Sequence, residues 1–164
     1  MPLIDRAVYS SAAGLQRGAY ILAEGVRTGS GSDRVLDPPT GNTPNDSNVT
    51  PQLILIATGS EVSLALEARI SLQSEGIATR VVSLPCWELF EQQPEDYRNE
   101  VLPPSVTARL AIEAGVRQGW DRYVGPKGDV ICLDRFGASA PGDVALRELG
   151  FNVDNVLVRA RALI

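Results

Sequence analysis

The fold class predicted is a three-layer α/β/α sandwich around a mostly parallel sheet, and three features of the chain predict it. Leu53-Ile54-Leu55-Ile56-Ala57 is apolar at every position, the mark of a strand covered by helices on both faces. Comparable short apolar runs recur after it, separated by stretches with helical spacing of apolar residues. Gly and Pro punctuate the changeovers, as expected where strands and helices alternate.

In chain order, residues 1–27 form a lead segment whose run Ala19-Tyr20-Ile21-Leu22-Ala23 reads as the first strand. Between Thr28 and Thr50, 19 of 23 residues are Gly, Pro, Ser, Thr, Asn or Asp. Such a stretch has too little apolar surface to offset its ordering entropy, so 28–50 is expected to be a flexible surface loop. The α/β core is expected over 51–164, and the whole of 1–164 reads as one domain. After the strand at 53–57, Thr58-Gly59-Ser60 turns the chain, with Ser60 as the expected N-cap and Glu61 in the first helical turn. Val62, Ala65, Leu66 and Ile70 mark the buried side of that helix, and Gly76 ends it.

A second strand is expected at Thr79–Leu84 and a short helix at Trp87–Gln93, with Pro94 opening another. Pro103-Pro104 breaks the chain before a third strand at Ala108–Ala114, and a fourth follows at Val130–Leu133. The Gly137-Ala138-Ser139-Ala140-Pro141 turn leads to a helix closed by Gly150. Asn152 is expected to cap the last helix, with Phe151 stapled against Val156 and a buried stripe of Val153, Val156, Leu157, Ala160 and Ile164.

Composition narrows the function classes. Fifteen basic side chains against 20 acidic ones are scattered, which argues against nucleic acid or an anionic membrane as partner. No apolar run approaches the roughly 20 residues that span a bilayer, and a reduced cytoplasmic setting is expected. Cys86 and Cys132 lack metal-ligand spacing. The sequence contains no histidine, the commonest general base and metal ligand near neutral pH, which argues against a self-contained active site.

Ligands of open parallel sheets bind beyond the carboxyl ends of the strands. Two turns reach that edge, and Gly59, Ser60, Ala138 and Ser139 are the candidate small-anion site, since each turn brings backbone N–H groups to a helix start. Plain turns and caps are the alternative, and Glu61 would repel an anion. Glu113 and Asp134 lie near strand ends, where paired carboxylates could do acid–base work. Structural bonding to backbone amides or to Arg109, Arg117 or Arg135 is the favoured reading. Cys132 is expected to be an inert core thiol and Cys86 to lack an activator. Trp87, Trp120, Tyr97 and Tyr123 are expected to pack rather than form a stacking platform.

Several stretches carry a family resemblance. Ile56-Ala57-Thr58-Gly59-Ser60-Glu61-Val62 resembles the opening of the transketolase C-terminal domain, and the run from Arg80 to Phe90 resembles its second strand and helix. Tyr97-Arg98, Val101-Leu102-Pro103, Val106-Thr107-Ala108-Arg109 and Tyr123-Val124-Gly125 are similar in turn. The most specific stretch is Phe136-Gly137-Ala138-Ser139-Ala140-Pro141, continuing through Leu149-Gly150-Phe151 to Val153-Asp154-Asn155-Val156. The resemblance runs in order over 51–164, and Gly18-Ala19-Tyr20-Ile21-Leu22 also fits.

The resemblance implies a homodimeric enzyme of three α/β domains that moves two-carbon ketol units between sugar phosphates, in the pentose phosphate pathway or the Calvin cycle. Thiamine diphosphate and a divalent metal, magnesium or calcium, would sit between the first two domains. The third domain would be a five-stranded mixed sheet with its first strand antiparallel, structural or regulatory in role. No catalytic, cofactor-binding or metal-binding position carries over to this sequence, and a substrate-binding Ser-Arg-Gln stretch would precede Leu3-Ile4-Asp5. The partners implied are the remaining domains, in the same chain or as a separate subunit of a split enzyme, in the cytoplasm or a plastid stroma. Two departures stand out: the 28–50 loop is long for this connection, and Cys132 stands where the family often has glycine.

Overall fold

Strands β1 (Tyr20–Ala23), β2 (Leu53–Ala57), β3 (Thr79–Ser83), β4 (Arg109–Ile112) and β5 (Asp129–Ile131) form one sheet in the order β1-β3-β2-β4-β5. The molecule is known from a computed structural model, which describes residues 4–5, 8–25, 50–137 and 140–164. The predicted loop at 28–50 lies outside the described residues, Thr50 apart. β1 runs antiparallel to β3, with a register shift between Ile21 and Ala23, and the other pairings are parallel. The mixed sheet implied by the family resemblance is therefore the one observed.

Among the described residues six α-helices cover the sheet: α1 (Glu61–Ser74), α2 (Trp87–Glu91), α3 (Glu95–Val101), α4 (Asp121–Val124), α5 (Gly142–Glu148) and α6 (Val153–Arg161). Side chains alternate across a strand, and β2 shows what this does. Leu53, Leu55 and Ala57 enter one core with Val62, Ala65 and Leu72 of α1 and Val156 and Ala160 of α6. Ile54 and Ile56 enter the other, with Phe90, Val101, Trp120 and Tyr123 from the α2–α4 side. All five β2 residues are fully buried. The sandwich has three layers because this strand has no polar face to offer water.

Local signals placed most ends. Gly76, at φ +83°, closes α1 in a Schellman arrangement: its N–H bonds to the Gln73 carbonyl at 2.9 Å, and that of Ile77 to Leu72 at 3.0 Å. Asn152 caps α6, its side-chain oxygen accepting from the Asn155 N–H at 2.9 Å. Phe151 and Val156 share one core.

Four expectations are corrected. Ser60 does not cap α1; it adopts helical backbone angles and makes no side-chain capping bond. Its hydroxyl donates instead to the Glu61 carboxylate at 2.8 Å. Ile70 is 59% exposed, because the inward row of α1 runs through Ala65, Arg69 and Leu72, and residue 70 points about 100° away from residue 69. Arg69 can take the buried place because its Nε donates to the carbonyls of Glu24 at 3.1 Å and Thr79 at 3.2 Å. Ile164 is exposed because α6 ends at Arg161, before the helical row reaches it. Cys132 lies one residue past β5, half-buried rather than inside a strand.

A further arginine ties the antiparallel edge to the body. Arg80 on β3 is buried; it grips both carboxylate oxygens of Glu24, at 2.8 and 3.1 Å, and donates to the Val101 carbonyl at 3.1 Å.

Candidate functional site

The strand order places the topological switch between β2 and β4, since the chain leaves β2 toward β3 on one side and returns to β4 on the other. The crevice beyond the carboxyl ends is where such a sheet receives a ligand. Here it is a cleft of about 680 Å³ with Thr58 after β2, Pro85 and Cys86 after β3, and Glu113 and Gly115 after β4. Trp87 and Trp120 form one wall, their rings edge to face at 5.2 Å and 88°. Tyr123 packs on Trp87 at 5.6 Å, and Phe90 lies 6.2 Å from Tyr123 and 6.5 Å from Tyr97. The aromatic residues pack as expected.

Glu113 lies in this cleft with Glu88 and Arg122. One of its carboxylate oxygens is buried without a hydrogen-bond partner. Burial, and then the Glu61 carboxylate, push its pKa up from the ordinary value. The ion pairs expected for Glu113 and Asp134 do not form among the described residues. Arg109 is spent on backbone carbonyls, and Arg117 pairs with Asp121 at 2.9 Å. Asp134 faces the Cys132 thiol, whose pKa burial and that carboxylate push up, which makes it a poor nucleophile.

Of the four candidate anion residues, Gly59 and Ser60 sit at the turn after β2. Gly59 has φ +56°, and a side chain there would approach the Glu61 carboxylate. Ala138 and Ser139 lie outside the described residues. The Ser60 hydroxyl is taken by Glu61, which is itself buried, so the turn presents negative charge beside its backbone N–H groups.

What the sequence reading missed is a second cleft, of about 460 Å³, on the α2–α4 side of the sheet. Arg98, Arg109, Arg122 and Tyr123 line it with Glu91 and Glu95. These residues come from three short helices and a strand start, so no spacing along the chain reveals them. The one sequence signal was the recurrence of arginine through 98–122.

Comparison with known proteins adds the family. Residues 43–152 match the family model described as the transketolase-like TK C-terminal domain. The chain belongs to that family. It is 50% identical over 146 residues to a transketolase of Geobacillus stearothermophilus, a match covering 89% of this chain and 20% of that protein. A transketolase of Halalkalibacterium halodurans is 44% identical over 164 residues, covering 100% of this chain and 21% of the relative. Among solved structures, transketolase from Leishmania mexicana superposes with a TM-score of 0.72 at 36% identity, covering 94% of this chain and 19% of that one. The chain thus spans about a fifth of the length of these transketolases. Among the described residues no three His, Cys, Asp or Glu side chains gather as metal donors. The donor set of this transketolase C-terminal domain does not fit a divalent metal, and no step of ketol transfer is derived through one. No helix among the described residues is long and apolar enough to cross a membrane.

Proposed function

We propose that this transketolase C-terminal domain is the packed, non-catalytic end of a ketol-transferring enzyme, with the reacting centre formed by companion domains. The observation that carries the reading is the family match over 43–152, joined to a switch-point cleft that offers no histidine, activated thiol or metal donor set. Of its two acidic side chains, Glu88 and Glu113, the second lies in an environment that favours the neutral carboxyl. In this reading thiamine diphosphate and its divalent metal are held outside residues 1–164, the enzyme is a homodimer, and its compartment is the cytoplasm or a plastid stroma. Residues 1–164 form one domain in this reading, and Gly59, Ser60, Ala138 and Ser139 are the small-anion site of the alternative in which the domain is a regulatory module.

The test replaces the carboxyl-terminal fifth of the Geobacillus stearothermophilus transketolase with residues 1–164. Ketol transfer is then measured with thiamine diphosphate and magnesium supplied. The fusion is expected to turn over and the 164-residue chain alone to show none. Turnover by the chain alone would overturn the reading. Recovery when the chain is added as a separate polypeptide would favour the split arrangement over a continuous one.

A further inference from the structure

We infer that the cleft between α2, α3 and α4 is a binding site for a small molecule bearing an oxyanion, a phosphate monoester or a carboxylate. Three observations meet there. The first is charge: three guanidinium groups, from Arg98, Arg109 and Arg122, face two carboxylates, Glu91 and Glu95, which leaves surplus positive charge in a concave space. Arg109 accounts for it. Its N–H groups donate to the carbonyls of Leu102, Pro103, Val106 and Tyr123 at 2.7–3.1 Å, and it has no ion pair among the described residues. Those carbonyls fix the guanidinium in place and accept four hydrogen bonds from it without neutralising it. A cation withdrawn from water with no counter-ion favours an anion beside it.

The second observation is an unused donor. The Arg98 Nε–H is buried without an acceptor. Buried donors are nearly always satisfied, and an oxyanion carries the acceptor lone pair that it lacks. Tyr123, 3% exposed, lines the cleft with its hydroxyl beside the Glu91 carboxylate. Burial first, and the Glu91 carboxylate second, push the tyrosine ionisation up, so the hydroxyl keeps its proton as a donor.

The third is the looseness of the pairs already present. Glu91 sits 3.3 Å from Arg98 and 3.9 Å from Arg122, against about 2.7–2.9 Å for tight charge-assisted bonds. Both arginines can turn part of their fork to an incoming anion without breaking a well-made contact. The volume lies in the small-molecule range of about 300–1,000 Å³, which suits a molecule larger than the inorganic ion. The switch-point cleft suits the same ligand less well, because Glu88 and Glu113 line it against a single arginine, Arg122.

The experiment is an amide and arginine-Nε NMR titration of the 164-residue chain with glycerol 3-phosphate and, separately, succinate. Glycerol and ionic-strength-matched sodium chloride serve as controls. Saturable shifts are expected at Arg98, Arg122 and Tyr123 with at least one of the two anions and with neither control, and the tighter arm names the anionic group. Arg122→Gln removes a half-exposed side chain whose ion pair is long, so the fold is retained. It and Arg98→Gln should each weaken binding about 10-fold, the loss expected for one charge-assisted hydrogen bond. Non-saturating shifts, shifts reproduced by sodium chloride, or unchanged affinity in both variants would overturn the inference. None of these results bears on whether the chain completes a ketol-transferring enzyme.

Discussion

Gly119→Ala tests the packing of the aromatic wall that separates the two clefts. Gly119 has φ +90°, and a methyl group there would lie 2.4 Å from Cζ3 and 2.7 Å from Cη2 of the Trp87 indole. The indole cannot swing aside freely, since Trp120 holds its edge at 5.2 Å and Tyr123 lies at 5.6 Å. Two costs add: roughly 1 kcal/mol for an L-residue in the left-handed region, and about 1–3 kcal/mol for overpacking a filled site. The sum, about 2–4 kcal/mol, is a large share of a typical domain's 5–15 kcal/mol. Gly76→Ala is the control, because Gly76 has φ +83° but nothing within 4 Å of the added carbon; it should cost only the backbone part. Urea unfolding followed by tryptophan fluorescence measures both, and Trp87→Leu in the Gly119→Ala background should recover much of the difference. Equal destabilisation by the two alanine variants would refute the argument, since the indole contact would then contribute nothing.

Other outcomes follow from single contacts. Glu113 holds its proton to higher pH in the folded chain than in the unfolded one. Stability should therefore fall as pH rises from the ordinary carboxylate range through the raised value, and stay lower above it. Glu113→Gln should remove that fall, matching the parent in acid and exceeding it at pH 7 in thermal unfolding. Arg80→Met strands Glu24 and the Val101 carbonyl and should cost roughly 2–3 kcal/mol. Glu24→Gln, altering the half-exposed partner, should cost under about 1 kcal/mol by the same urea assay. Asn152→Ala removes the α6 cap and should cost about 1 kcal/mol, with earlier exchange of the Asn155 amide hydrogen as its local signature.

Features written in short stretches of chain were legible from them. Burial of β2 on both faces, the glycine stop of α1 and the asparagine cap of α6 each depend on a few neighbouring residues. Ser60 was misread as a cap because a competing acceptor, the Glu61 carboxylate, takes its hydroxyl. Ile70 was misread because α1 buries a charged residue in its inward row, which hydropathy alone would place outside. That inversion is possible only where distant carbonyls, those of Glu24 and Thr79, receive the guanidinium.

By itself the sequence determined the layered α/β architecture, most element boundaries and, through its motifs in register, the transketolase C-terminal domain family. These rest on local periodicity and on residue order, both of which a linear chain carries in full. Tertiary structure alone decided that Glu113 stands beside Glu61 without an ion pair, that Trp87 fills the space over Gly119, and that Arg98, Arg109, Arg122 and Tyr123 share one cleft. Each of these depends on segments brought together by strand order and helix packing. Charge, solvation and steric fit act through space, so residues separated along the chain acquire their chemistry only when the fold sets the distances between them.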